Sequence, residues 1–202
     1  MTGLDPASAG QIVPAVQDLH AFFDRIIQPL YAVLDSARDR RIRSLLQDSG
    51  CEYRMLYGER LAAAMDGVGP YLVALPRGNP FLERLIQMGW GNSWGIFLST
   101  PADLATVRRH LRRLLAVKLP DGRQALFRFY DPRVLRNSIP GFQEEEAAQF
   151  FGPISAIFVE PAMAPGRHPF REVLRFAKEM PLVPQFLQIS KNYQRGDHPC
   201  CR

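Results

Sequence analysis

Two aspartates close apolar runs in this chain of 202 residues: Asp35 ends YAVLD and Asp131 ends RFYD. Strand ends are where α/β enzymes often keep catalytic groups, and two carboxylates there could share general acid and general base work. Strand-end aspartates also cap the turn that follows, which is the favoured reading of both. Cys51 opens another short run. No histidine stands near it in sequence, so a buried structural thiol is the simpler assignment than a nucleophile. His20, His110, His168 and His198 make no set of three or four ligands such as zinc requires. GxSxG, GxGxxG and GxxxxGK(S/T) are all missing, and Gly89–Gly91 falls at a helix end rather than before a helix start. No cofactor and no metal are expected.

The basic residues offer different chemistry. Arg108, Arg109, Arg112 and Arg113 fall on one side of a helical segment, where they could meet phosphates, face an acidic protein or simply be solvated. Arg128, Asp131 and Arg133 flank aromatic residues and could form an internal ion-pair network, which fixes geometry more than it adds stability. Trp90, Trp94, Phe97, Phe127, Phe129, Tyr130, Phe150 and Phe151 crowd the same region. Most must be core, and any left outside would anchor a protein partner. The net charge of +5 is modest, and no nucleic-acid-binding module is present, so nucleic acid is not expected as a partner.

These residues need elements to hold them. Trp94–Leu98 is nearly all apolar and reads as a strand covered on both faces. A helix follows, with Thr100 as its N-cap, Pro101 in its first turn and Asp103 three residues after the cap. Leu104, Val107, Leu111, Leu114 and Leu115 form its inward stripe. Asp121-Gly122 is the turn of a hairpin joining LAVKLP to RQALFRFYD, and Asp131-Pro132 ends the second strand.

Earlier in the chain, Val13–Ile27 reads as an amphipathic helix stopped by Pro29. Strands are expected at Tyr31–Asp35, Glu52–Tyr57 and Tyr71–Leu75. Helices are expected at Arg38–Gln47, with Gly50 as C-cap, at Glu59–Met65, and from Asn79-Pro80 to Met88. This strand–helix alternation implies an α/β fold with a mixed, largely parallel sheet flanked by helices and a β-hairpin portion. Further on, Gln143–Phe151 is a short acidic helix and Ile154–Val159 a strand. Pro161–Pro169 reads as a linker, Phe170–Glu179 as a helical appendage and Lys191 onward as a loose tail, as are residues 1–12. The organisation expected is 1–28 N-terminal helix, 29–159 α/β lobe and 160–202 appendage. Three cysteines without framework spacing, no secretory signal and no long apolar run predict a cytoplasmic protein.

YAVLDSARD, PYLVAL, NPFLERLIQMGWGNSWGIFLST, LRRLLAVKLPDGRQALFRFYDPRVL and FFGPISAIF together resemble the effector adaptor/chaperone family of bacterial type VI secretion. These are the Tap or TEC proteins, formerly known only as a domain of unknown function. The resemblance runs from about Leu30 to Phe158. It implies a non-catalytic cytoplasmic adaptor that binds a toxic effector and helps load it on the VgrG spike. Relatives carry a more variable C-terminal lobe, whereas here the chain after Val159 is short. Trp94, Arg108, Arg112, Arg128 and Tyr130, with Asp131, Arg133, Phe150 and Phe151, are the residues expected at partner contacts. The alternatives are a small α/β enzyme working through Asp35, Asp131 or Cys51, and a nucleic-acid binder using the arginine stripe.

Overall fold

The computed structural model describes residues 14–118, 121–162, 169–178 and 185–189. Strand β1 (Leu30–Asp35) has all six residues buried. Leu30, Ala32 and Leu34 enter one hydrophobic cluster, while Tyr31 and Val33 enter another. That alternation with a period of two makes the sheet a wall between two cores.

The strands that complete this sheet are β2 (Tyr53–Met55), β3 (Pro70–Leu75), β4 (Gly95–Ser99), β7 (Ala156–Val159), β8 (Glu172–Ala177) and β9 (Gln185–Gln188). Their order is β2-β3-β1-β4-β7-β8-β9. All six neighbouring pairs are antiparallel. The largely parallel sheet expected from the strand–helix alternation is therefore wrong. The reason lies in how the crossovers interleave. Helix α2 (Arg41–Gln47) carries the chain from β1 to β2, and α4 (Phe81–Gly89) from β3 to β4. Each crossover joins strands of like direction, but an antiparallel strand is slotted between them: β3 inside the first pair, β1 inside the second. This is the split βαβ arrangement of ferredoxin-like folds. The short α3 (Glu59–Ala64) sits on the β2–β3 connection.

Helix α1 (Pro14–Asp24) packs with α2 and α4 on one face of the sheet. Phe23 stacks within 4.7 Å of Phe97 and meets Trp90 edge-on at 5.8 Å. The other face is covered by α5 (Leu104–Leu114), α6 (Pro132–Ser138) and α7 (Glu144–Phe151). A separate two-stranded hairpin, β5 (Ala116–Lys118) with β6 (Gln124–Leu126), follows α5 directly.

Three local expectations change. The N-cap of α5 is Asp103, whose carboxylate accepts from Thr106 N at 2.8 Å. Thr100 instead accepts from Ala102 N and donates to Pro153 O at 2.6 Å, tying the end of β4 to the turn before β7. The hairpin's second strand stops at Leu126, because Phe127 and Phe129 turn into the core, and Asp131 starts α6 rather than ending a strand. The helix expected at Phe170–Glu179 is strand β8. Val173 enters one core and Leu174 and Phe176 the other, but Glu172, Arg175 and Lys178, three residues apart in sequence, imitate the polar side of a helix. Among the described residues the expected α-helical appendage is replaced by β8 and β9, which extend the same sheet. The segments expected to be loose at residues 1–12 and from Lys191 lie outside the described residues, as does most of Pro161–Pro169. Among the described residues no helix is long and apolar enough to cross a membrane.

Candidate functional site

Antiparallel pairing brings the end of β1, the start of β3, the start of β4 and the end of β7 to one end of the sheet. The strands meet closely there. A Cβ at Gly95 would collide with the carbonyl oxygen of Val33, so only glycine lets β4 lie against β1. The three acids that gather at this end, Asp35, Asp131 and Glu160, are all buried.

Each acid is held by donors within the fold. Asp35 accepts from Ala37 N at 3.0 Å and from Arg128 Nη2 at 2.9 Å. Asp131 caps α6 by accepting from Arg133 N at 3.0 Å, and its two oxygens take Arg133 Nε and Nη2 at 2.9 and 2.7 Å. Arg128 Nη2 also lies 3.6 Å from Asp131, so this guanidinium bridges the two aspartates. Burial alone would push the Asp131 carboxyl up, but the hydrogen bonds and charge of Arg133, with Arg128, hold it below the usual range. Glu160 accepts from Gly91 N at 2.6 Å, Ser93 N at 3.1 Å and Ser93 Oγ at 2.9 Å. Burial outweighs those bonds and raises its pKa. Arg136 donates to the Glu160 carbonyl at 2.7 Å. Behind them Tyr130 and Tyr57 share a hydroxyl contact of 3.3 Å; burial first, then this bond, push the Tyr130 phenol up. The cluster is a balanced set that pins turns and strand ends to one another. Such networks specify geometry.

A second basic region is unbalanced. Arg108, Arg109, Arg112 and Arg113 of α5 line a groove of about 860 Å³ together with Glu52, Arg54 and Asp103 beside edge strand β2. Arg108 is half-buried and donates to Met55 O at 3.0 Å, whereas Arg109, Arg112 and Arg113 are exposed. Arg54 bonds Tyr53 O at 2.8 Å and pairs with Glu52. Burial first, then the nearby charges of Arg112 and Arg54, pull the Arg108 pKa down.

The structure thus separates the residues picked out in the sequence. Arg128, Tyr130, Asp131 and Arg133 come together with Asp35, while Arg108 and Arg112 line the groove. Trp94, Tyr130, Phe150 and Phe151 are core side chains, closed to a partner in this structure. Trp94 lies beneath the Arg41 guanidinium at 5.3 Å, and Phe150 O bonds His110 Nε2 at 2.8 Å. Cys51 is buried, its Sγ 3.7 Å from Ser49 O, and burial raises its thiol. His20 pairs with Asp24 at 3.2 Å. Among the described residues no three His, Cys, Asp or Glu side chains are placed to hold a metal ion. Glu160, Arg136 and Tyr57 escaped the sequence reading. Glu160 carried the same signal as the aspartates, an acid closing the apolar run AIFV.

Comparison with known proteins gives one finding. Residues 30–149, from the first residue of β1 into α7, match the model of a family described as a domain of unknown function (DUF4123). Neither the curated proteins nor the solved structures contain a match to this chain. The matched segment holds the split βαβ sheet, the arginine helix and both aspartates of the cluster, and on that extent the chain belongs to the DUF4123 family.

Proposed function

We propose that this protein is an adaptor/chaperone of type VI secretion, which binds a toxin effector in the cytoplasm and helps load it on the VgrG spike. It turns over no substrate in this reading. The observation that carries it is the family match over residues 30–149, which coincides with the motifs that resemble those adaptors. The chemistry of the acids supports it. Asp35, Asp131 and Glu160 are committed to arginines and backbone N–H groups inside the fold, as structural carboxylates are. Arg109, Arg112 and Arg113 of α5 are exposed, where a polypeptide could reach them.

Co-expression tests the proposal. The tagged protein should retain the toxin encoded beside it, or the spike, through affinity purification and size exclusion. Recovery of the adaptor alone, with every neighbouring toxin and spike tried, would overturn it.

A further inference from the structure

The groove between α5 and β2 gathers five arginines against two acids, and among the described residues only Arg54 of the five is in an ion pair, with Glu52. Asp103 spends its carboxylate on the α5 cap. Arg108 reaches a neutral carbonyl, and among the described residues Arg109, Arg112 and Arg113 have no carboxylate within ion-pair distance. Like charges this close repel, and the lowered pKa of Arg108 reflects that strain alongside burial. A bound anionic surface would relieve it.

The groove also states how its occupant must be shaped. Glu52 O and Leu56 N bond inward to β3, so the carbonyls of Tyr53 and Met55 face out of the sheet. Both are already taken, by Arg54 and Arg108. A strand cannot add to this edge through those carbonyls. What remains open on α5 is the exposed guanidinium groups of Arg109, Arg112 and Arg113, with Arg109 and Arg113 at i,i+4. Residues so spaced lie about 5–6 Å apart along a helix, the same interval that separates carboxylates at i,i+4 on a facing helix. Arg112 packs closely over Gly58, where an added Cβ would sit 3.1 Å from its guanidinium.

We infer that this groove docks an acidic helix of a partner polypeptide through carboxylate–guanidinium pairs along α5. The choice of a polypeptide over a nucleic acid rests on the adaptor reading, and on the shortness of the arginine row, which runs from Arg108 to Arg113 on one short helix rather than as a continuous basic track.

The test uses the full chain and a fluorescein-labelled Ala/Gln peptide of about 20 residues, long enough to hold a helix, with Glu at i,i+4. Fluorescence anisotropy should show saturable binding that weakens steeply with salt. Arg109→Gln/Arg112→Gln should raise the Kd about tenfold, as expected for two lost surface pairs. Arg84→Glu, the same kind of charge loss on the opposite face, should change it less than about twofold. Circular dichroism verifies that each variant is folded. No saturable binding, equal losses in both variants, or tighter binding of a duplex DNA through the same arginines would each overturn the inference. If a neighbouring toxin co-purifies with the wild type while the peptide result is negative, this inference fails and the adaptor reading stands. If nothing co-purifies, that reading fails on its own.

Discussion

Asp131 performs two tasks with one carboxylate: it starts α6 and it anchors Arg133. Asp131→Ala should cost about 2 kcal/mol, the upper range for a lost cap, measured as a lower urea midpoint at unchanged slope. Asp131→Asn keeps the capping oxygen and should cost clearly less. Because its folded pKa is lowered, the stability Asp131 contributes is present above about pH 4 and is lost as pH falls through the folded value. His110 acts in a different window. Burial depresses its pKa against the pull of the Phe150 carbonyl, with Arg113 and Lys178 adding positive charge nearby. The unfolded chain then takes up a proton below about pH 6.5 that the folded chain refuses, so stability falls as pH falls until the folded pKa is passed. Urea midpoints at pH 7 and pH 5 should differ more for the wild type than for His110→Gln. Glu160, with a raised pKa, shifts stability the opposite way, but it is common to both proteins and cancels in that comparison.

At the level of elements, Gly95 is the tightest constraint. Gly95→Ala would force β4 off β1 and should destabilise by about 3 kcal/mol or more, visible as loss of soluble protein or a lowered Tm. Helix α5 shows the opposite sign. Arg112→Gln removes a like charge from the stripe and should raise stability by a few tenths of a kcal/mol at low salt, with the gain fading in salt. Element existence was legible in the sequence wherever a period was strong. The inward stripe of α5, with Val107 and Leu111 buried and Leu104 and Leu114 partly so, and the apolar runs at β1, β3 and β4 were found, whereas buried His110 was not expected on that stripe. Direction was not legible, because a helix between two strands reads the same whether or not a third strand later slips between them. Nor was β8, where Glu172, Arg175 and Lys178 stand at the spacing of a helix's polar side. Arg128, Asp131 and Arg133 were visible as a group because they flank one short stretch, whereas Asp35 was visible only as the end of a strand and its bond to Arg128 crosses 93 residues. Glu160 completes the same end of the sheet, but pairing across sequence distance brings it there, and local spacing cannot report that.

For the whole molecule, the described chain beyond Val159 belongs to the sheet through β8 and β9. Glu160 fastens the loop at Gly91 and Ser93, and β8 supplies Val173 to one core and Leu174 and Phe176 to the other. Truncation after Val159 should therefore give an aggregating or molten product, read by far-UV circular dichroism and size exclusion, rather than a lobe lacking an ornament. The two rims of the sheet are also unlike. On the β2 side, guanidinium groups sit on the outward carbonyls; on the β9 side, Phe186 stands 57% exposed. An added strand that approached at β2 would have to displace two guanidinium groups before it could donate to the outward carbonyls there, which disfavours pairing at that flank.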